Sequence, residues 1–215
     1  TISDLNGKDA VVHLAAETIN KPIGGILPVP WSAWKRKEIL NSRVNGTRLL
    51  AEHLATLNNP PKVLVCASAI GYYGDNGDEI MDEGGSNGND YFSHVVKEWE
   101  AAAQPAIDAG IRVVFLRLAP VMSPLGGALQ VLSLPAKLGS SPPVGGGKQW
   151  WSWVGIDDAI GSIYHCLLYT YDAADALPCV NFGGRRIIKK QKTLVIVLCN
   201  NTTDTRLTTK LVPLA

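Results

Sequence analysis

The sequence predicts an α/β fold, a parallel β-sheet covered by helices on both faces. Two features of the pattern lead there. Short apolar runs alternate with longer stretches whose apolar residues recur at i+3 and i+4, and the short runs are continuous, as in strands buried on both faces. Composition agrees: 215 residues are 46% hydrophobic and 18% charged with a formal net charge of +1, enough apolar material for one packed core. These values exclude disorder as the main state and argue against a nucleic-acid partner held by broad charge attraction. No apolar run approaches about 18 residues, so no membrane-spanning helix and no membrane partner are expected. The opening residues TISDLNGKDAVVH carry no basic-then-apolar leader and no initiator Met, so a fragment or a processed product is expected.

The elements follow in order. Asp9–Ala15 (DAVVHLA) reads as a buried strand ending in small residues. Residues 31–58 read as one or two helices, with Val44, Thr47, Leu50, Ala51, Leu54 and Leu57 on one stripe and Asn58-Asn59-Pro60-Pro61 as the stop. Lys62–Ser68 (KVLVCAS) is a second strand, followed by a Gly- and Asp-rich loop to about Asp90. Residues 91–104 read as a helix with Phe92, Val95, Val96, Trp99 and Ala103 on its apolar face. Ile111–Arg117 (IRVVFLR) is a third strand. Asp157-Asp158 is placed to cap a last helix with the stripe Ile160, Ile163, Tyr164, Leu167.

Parallel sheets bind ligands beyond the carboxyl ends of their strands. Those ends are Ala15-Ala16-Glu17, Ser68-Ala69-Ile70 and Leu118-Ala119-Pro120. Small residues at the first two would let a flat ligand approach the backbone. His13, inside an apolar strand, reads as a hydrogen-bonded core histidine. Cysteines 66, 166, 179 and 199 lack CxxC spacing and the four His are scattered, so no metal site is expected. Cys66 reads as a buried reduced thiol, which favours a reducing compartment, the cytoplasm or an organellar matrix.

Residues 185–215 hold seven Lys or Arg and one acid, a net +6 that leaves −5 for residues 1–184, and they contain no Gly and no aromatic residue. A shift this abrupt marks a boundary. The stretch 166–190 resembles translated sequencing-adapter read-through. Residues 1–165 are therefore expected to form the domain and residues 166–215 a non-native or weakly structured tail.

Seven phrases in order resemble the extended short-chain dehydrogenase/reductase superfamily, and within it an atypical, epimerase-like branch. They are HLAAE (13–17), Ser42-Arg43 with Thr47 in SRVNGTRLL, SAIGYYG (68–74), Trp99-Glu100, GGAL (126–129), GGGKQWWSWVGIDD (145–158) and the overlapping helix start WVGIDDA (153–159). The resemblance implies a Rossmann-like doubly wound parallel sheet missing its first strands, an NAD- or NADP-binding domain, and an oxidoreductase or epimerase acting on a small carbonyl or sugar-type molecule. It implies Ser68 as the catalytic, substrate-side hydroxyl. Contacts to the dinucleotide would come from Leu14, Ala15, Ala16, Arg43, Ala67, Leu118, Ala119 and Val121.

Two departures bear on activity. The Gly-rich phosphate loop of the family is absent from this sequence; GGGKQ (145–149) has no strand-then-helix context to hold a pyrophosphate and reads as a turn. The Tyr-x-x-x-Lys dyad is also absent. Its positions fall on Phe92 and Val96, while Tyr91 and Lys97 lie about 120° apart around a helix and do not replace it. Poor dinucleotide binding by an inactive fragment of an active parent is expected, with a non-catalytic nucleotide-binding or redox-sensing module as the alternative. Trp150, Trp151 and Trp153 are candidates for a pocket wall or for packing. Oligomeric state is left open.

Overall fold

The computed structural model describes residues 5–19, 32–79, 81–139, 151–168, 194–198 and 208–212. Strand β1 (Ala10–His13) leads to helix α1 (Ala33–Ala55), then strand β2 (Val63–Ala69) and a single 3₁₀ turn (Ile70–Tyr72). Helices α2 (Tyr91–Ala101) and α3 (Gln104–Asp108) precede strand β3 (Arg112–Leu118). A smaller part follows: β4 (Val121–Ser123), β5 (Gly126–Gly127), α4 (Ala128–Lys137), β6 (Val154–Gly155) and α5 (Ile156–Leu168). Strands β7 (Leu194–Leu198) and β8 (Thr208–Val212) complete the main sheet.

The main sheet has the order β3-β2-β1-β7-β8. The first four strands run parallel and β8 is antiparallel to β7. Register is continuous: Val12 lies beside Val65, and Val65 beside Val114. Alternation along each strand divides the core between the two faces. Val11, Leu64, Cys66 and Val113 face one side with Leu50, Ala51 and Leu54 of α1 and Ala106 of α3. Ala10, Val12, Val63, Val65 and Val114 face the other, against Cys166 and Leu167 of α5. Both faces are dry, which is why the strand sequences are uninterrupted apolar runs.

The fold class expected from the pattern is the one observed, and the three strands lie within a residue or two of their expected bounds. Three differences have local causes. The helix read as 91–104 turns at Ala102-Ala103 and restarts as α3, with Pro105 in its first turn, where a missing N–H costs nothing. In α5, Asp157 and Asp158 occupy the first helical turn, where they meet the positive end of the helix dipole. The buried stripe of α5 is Ala159, Ser162, Cys166 and Leu167, while Ile160 is exposed; small residues let the helix sit close to the sheet. The edge of β1 away from β2 is paired with β7. Among the described residues no helix is long and apolar enough to cross a membrane.

Leu54 is fully buried and its helix neighbour Leu49 is about half exposed. Leu54→Ala is expected to lower the unfolding free energy by about 3 kcal/mol through lost burial plus a cavity. Leu49→Ala is expected to change it by less than about 0.5 kcal/mol. Urea unfolding of the two variants checks the packing of α1 on the sheet.

Candidate active site at the carboxyl edge of the sheet

Parallel pairing carries the ends of three neighbouring strands to one edge. His13 lies beside Cys66, and Ala69 beside Leu118. The segments Leu14–Glu17, Ala67–Ala69 and Leu118–Pro120 therefore leave the sheet side by side. At the first of these, α1 holds the departing chain. Glu17 N–H donates to Ser42 Oγ at 3.3 Å, and Arg43 Nη1–H donates to Glu17 C=O at 3.2 Å. Lys35 Nζ meets the Glu17 carboxylate at 3.1 Å and Glu38 at 3.1 Å. The Ser42-Arg43 pair and the Glu of HLAAE, separate phrases in the sequence, thus meet: Ser42 and Arg43 hold the Glu17 backbone while Lys35 holds its side chain. Burial by itself would lower the Lys35 pKa, but hydrogen bonds to the two carboxylates raise it above the ordinary value. Arg43 is buried, its guanidinium also donates to Ile39 C=O and lies 5.2 Å from the Trp99 ring centre, and burial lowers its pKa.

One turn deeper, His13 is fully buried with Nε2 3.0 Å from Thr47 Oγ1, and Trp99 Nε1–H donates to the same hydroxyl at 2.8 Å. Burial lowers the His13 pKa from 6.5 to about 4, so the ring is neutral at pH 7. It is a core histidine, as read from its apolar strand. Its Nδ1 has no partner among the described residues.

The second strand end carries a charged network. The Ser68 hydroxyl is buried and donates to Glu100 Oε1 at 2.5 Å. Arg117, which lies beside Ser68 in the β2–β3 pairing, binds the same carboxylate twice, Nε to Oε1 at 2.9 Å and Nη2 to Oε2 at 2.9 Å. Its third nitrogen, Nη1, donates to Tyr73 Oη at 3.0 Å and to Glu83 C=O at 3.3 Å. The guanidinium carbon sits 3.5 Å from the Tyr72 ring centre. Burial by itself would lower the Arg117 pKa, but the bonds to Glu100 and Tyr73 raise it well above the ordinary value. A planar fork of donors suits this simultaneous load; an ammonium would not carry it.

The loop after β2 folds back on itself. Gly74 has φ +71°, and Gly88 packs so tightly that a Cβ there would come 2.6 Å from Tyr73 C=O. Gly88 N–H donates to Tyr72 C=O at 2.9 Å, and the Asn87 amide bridges Tyr72 C=O and Ser93 C=O. The loop encloses an open cavity of about 370 Å³ lined by Tyr73, Asp75, Asn76 and Ser86–Asp90.

Comparison with known proteins now has a geometry to rest on. The profile of the NAD dependent epimerase/dehydratase family matches residues 1–181. The chain belongs to this family. It is 36% identical over 166 residues to the Homo sapiens epimerase family protein SDR39U1, covering 77% of this chain and 55% of that one. The chloroplastic homolog from Arabidopsis thaliana is 35% identical over 167 residues, 76% of this chain and 45% of that one. The crystal structure of human SDR39U1 (isoform 2) with NADPH superposes with a TM-score of 0.70 at 34% identity, covering 78% of this chain and 55% of that one. UDP-glucuronic acid 4-epimerase from Bacillus cereus in complex with NAD shares the fold, with a TM-score of 0.66 at 18% identity over 86% of this chain and 57% of that one. The chain spans about half the length of the relatives it matches. The ordered phrases therefore point to the right family.

The two positions expected to correspond to the dyad carry hydrocarbon in this chain. Phe92 and Val96 pack over Gly71, whose added Cβ would lie 3.5 Å from Phe92 and 3.9 Å from Val96. Tyr91 does not substitute: its hydroxyl donates to Arg36 C=O at 2.6 Å, on α1, and Lys97 is exposed. Of the residues expected at the cofactor edge, Leu14, Ala15, Ala16, Ala67, Leu118 and Ala119 lie along the shared strand ends. The Leu14 and Leu118 side chains pack into the core against the α5 face, leaving only their backbone to face a ligand. Val121 begins β4 in the small sheet β5-β4-β6. Trp151 and Trp153 are exposed; Trp150 and residues 145–149 lie outside the described residues, as do Cys179 and Cys199. Cys66 is a buried free thiol, its pKa pushed up to about 12 by burial and the nearby Glu100 charge. Reading the sequence alone passed over Tyr73 and Arg117 and gave Glu100 no role. The available signal was an arginine inside the apolar run IRVVFLR, a charge that burial tolerates only when paired.

Removing one partner of the Ser68–Glu100–Arg117 network should show this. Glu100→Ala leaves a largely buried guanidinium unpaired and is expected to cost about 3 kcal/mol in urea unfolding. A second expectation concerns pH. Between pH 6.5 and about 4 the unfolded chain protonates His13 while the folded chain does not. Stability therefore falls as pH drops through this window, by at most about 1.4 kcal/mol per pH unit from this residue. Unfolding measured at about pH 7.5 and about pH 4.5 should differ less in His13→Asn than in the parent chain.

Proposed function

We propose that the chain carries the nicotinamide side of an NAD(P)-dependent oxidoreductase or epimerase acting on a small carbonyl or sugar-type substrate. The observation that supports this is the convergence of three parallel strand ends beside the Ser68–Glu100–Arg117–Tyr73 network. The fit to a flat cofactor rests on the side chains at that edge. Ala15, Ala16 and Ala67 are small, and Ser68 and Glu100 place polar atoms at its border. The backbone of Leu14–Ala16 and Leu118–Ala119, with Ala67 and Val121, would hold the nicotinamide half, and Arg43 would set the first of these segments through Glu17. Bound there, a nicotinamide supplies or accepts hydride. Ser68 orients the substrate oxygen. Because its proton is committed to Glu100, Ser68 offers lone pairs, which suits a substrate hydroxyl better than a carbonyl.

This sequence contains no Gly-rich strand–turn–helix to contact a pyrophosphate. Affinity should therefore reside in the nicotinamide end, and binding should be weak, of the order of millimolar. Reduced nicotinamide mononucleotide is expected to bind this chain within about tenfold of NADPH, followed by fluorescence titration. Ala67→Leu, which fills the strand end, should weaken both by about tenfold or more while the circular dichroism spectrum is kept. Failure of both nucleotides to bind overturns the proposal. The hydrocarbon at the dyad positions favours a second reading, a nucleotide-binding module without turnover; nucleotide binding that survives Ser68→Ala with no hydride transfer over a broad carbonyl and sugar-nucleotide panel would select it.

A further inference from the structure

The proposed chemistry needs a group that gives and takes a proton, and neither dyad position can. We propose that Tyr73 is that group, with Arg117 as its cation. The inference rests on the functional reading above and deepens it. Three observations carry it. Tyr73 Oη accepts a hydrogen bond from Arg117 Nη1 at 3.0 Å, so a lone pair is engaged by a permanent cation while its own O–H finds no acceptor among the described residues. Negative charge developing on that oxygen meets a guanidinium N–H already in place. The same guanidinium is tied through Glu100 to Ser68, so the phenol and the substrate-side hydroxyl are fixed to one rigid ion pair. Finally, Tyr73 is not sealed in the core. It is half-buried and lines the open cavity with Asp75, Asn87 and Asp90.

The cavity also indicates what reaches Tyr73. Its walls are carboxylates, amides and a serine hydroxyl. Asp75 and Asp90 each use one carboxylate oxygen on a backbone N–H, of Gly77 and Ser93, and each has a second. Such a lining suits a ligand rich in hydroxyl groups and disfavours a phosphate. The ligand class is a sugar or another polyol whose reacting oxygen lies toward Tyr73. In the reducing direction the Tyr73 O–H bond would break and its proton pass to that oxygen, while a bound nicotinamide would supply the hydride for the adjoining carbon. The phenolate left beside Arg117 regains a proton from cavity water. Arg117 does the work usually given to a lysine one helical turn away, but from the adjacent strand.

Tyrosine modification tests this without turnover. An arylsulfonyl fluoride esterifies an accessible phenol faster where a fixed cation stabilises the negative charge that develops on its oxygen as the S–O bond forms; fluoride leaves and the proton goes to solvent. Peptide mass spectrometry of the whole chain is expected to show Tyr73 modified about tenfold faster than Tyr72 and Tyr164. Arg117→Met should abolish that preference; exposure of the ring alone would leave it unchanged. Equal rates at Tyr72 and Tyr73 in the unaltered chain overturn the proposal, whether or not the Arg117 variant folds. Titration with reduced nicotinamide mononucleotide in the same samples separates the two readings. Binding without preferential modification removes the role of Tyr73 alone, and preferential modification without binding removes the nicotinamide reading and leaves a reactive phenol in a polyol site.

Discussion

A guanidinium at the end of an apolar strand is the constraint around which the site is built. Arg117 is set by register beside Ser68, too far inside for water to solvate it freely. A charge so placed must be neutralised and hydrogen-bonded or the strand cannot stay where it is. Glu100 from α2 meets two of its nitrogens, Tyr73 and Glu83 meet the third, and the Tyr72 ring covers its face. Satisfying one cation thereby fixes the position of a helix, the path of a loop and the hydrogen-bonding state of a serine.

The exit from β1 follows the same logic with the charges reversed. Glu17 is nearly buried and is held by Lys35 through its side chain, and by Ser42 and Arg43 through its backbone. Leu14–Glu17 cannot pair with a neighbouring strand along its length, so side chains of α1 supply what a ladder would. Two polar clamps, one on each side of β2, thus keep the strand ends apart enough to leave an edge and close enough to share it. The hydrophobic sheet below holds the clamps.

Glycine and small residues have distinct duties here. Gly88 is required because the carbonyl of Tyr73 occupies the space a Cβ would need. That approach ties the two ends of the loop together beside the cavity that Tyr73 lines. Phe92 and Val96 pack above Gly71, where a Cβ would meet both.

Period and continuity of apolar residues were enough to locate three strands, the long helix and the parallel class, because burial on two faces leaves its mark on every residue of a strand. The ordered phrases were enough for the family. Local pattern did not decide the phase of α5, where small residues rather than the larger Ile160 turned inward, nor the partner on the far edge of β1. Those depend on which surface arrives opposite. The same holds for the site. Ser68 and Tyr73 share the phrase SAIGYYG, but Glu100 and Arg117 lie far beyond it in sequence, and each is an ordinary polar residue until folding brings them within hydrogen-bond reach. Residue type and spacing determined the sheet and its kinship; only tertiary contact decided which charge each buried polar group would face, because that pairing is a property of space and not of order along the chain.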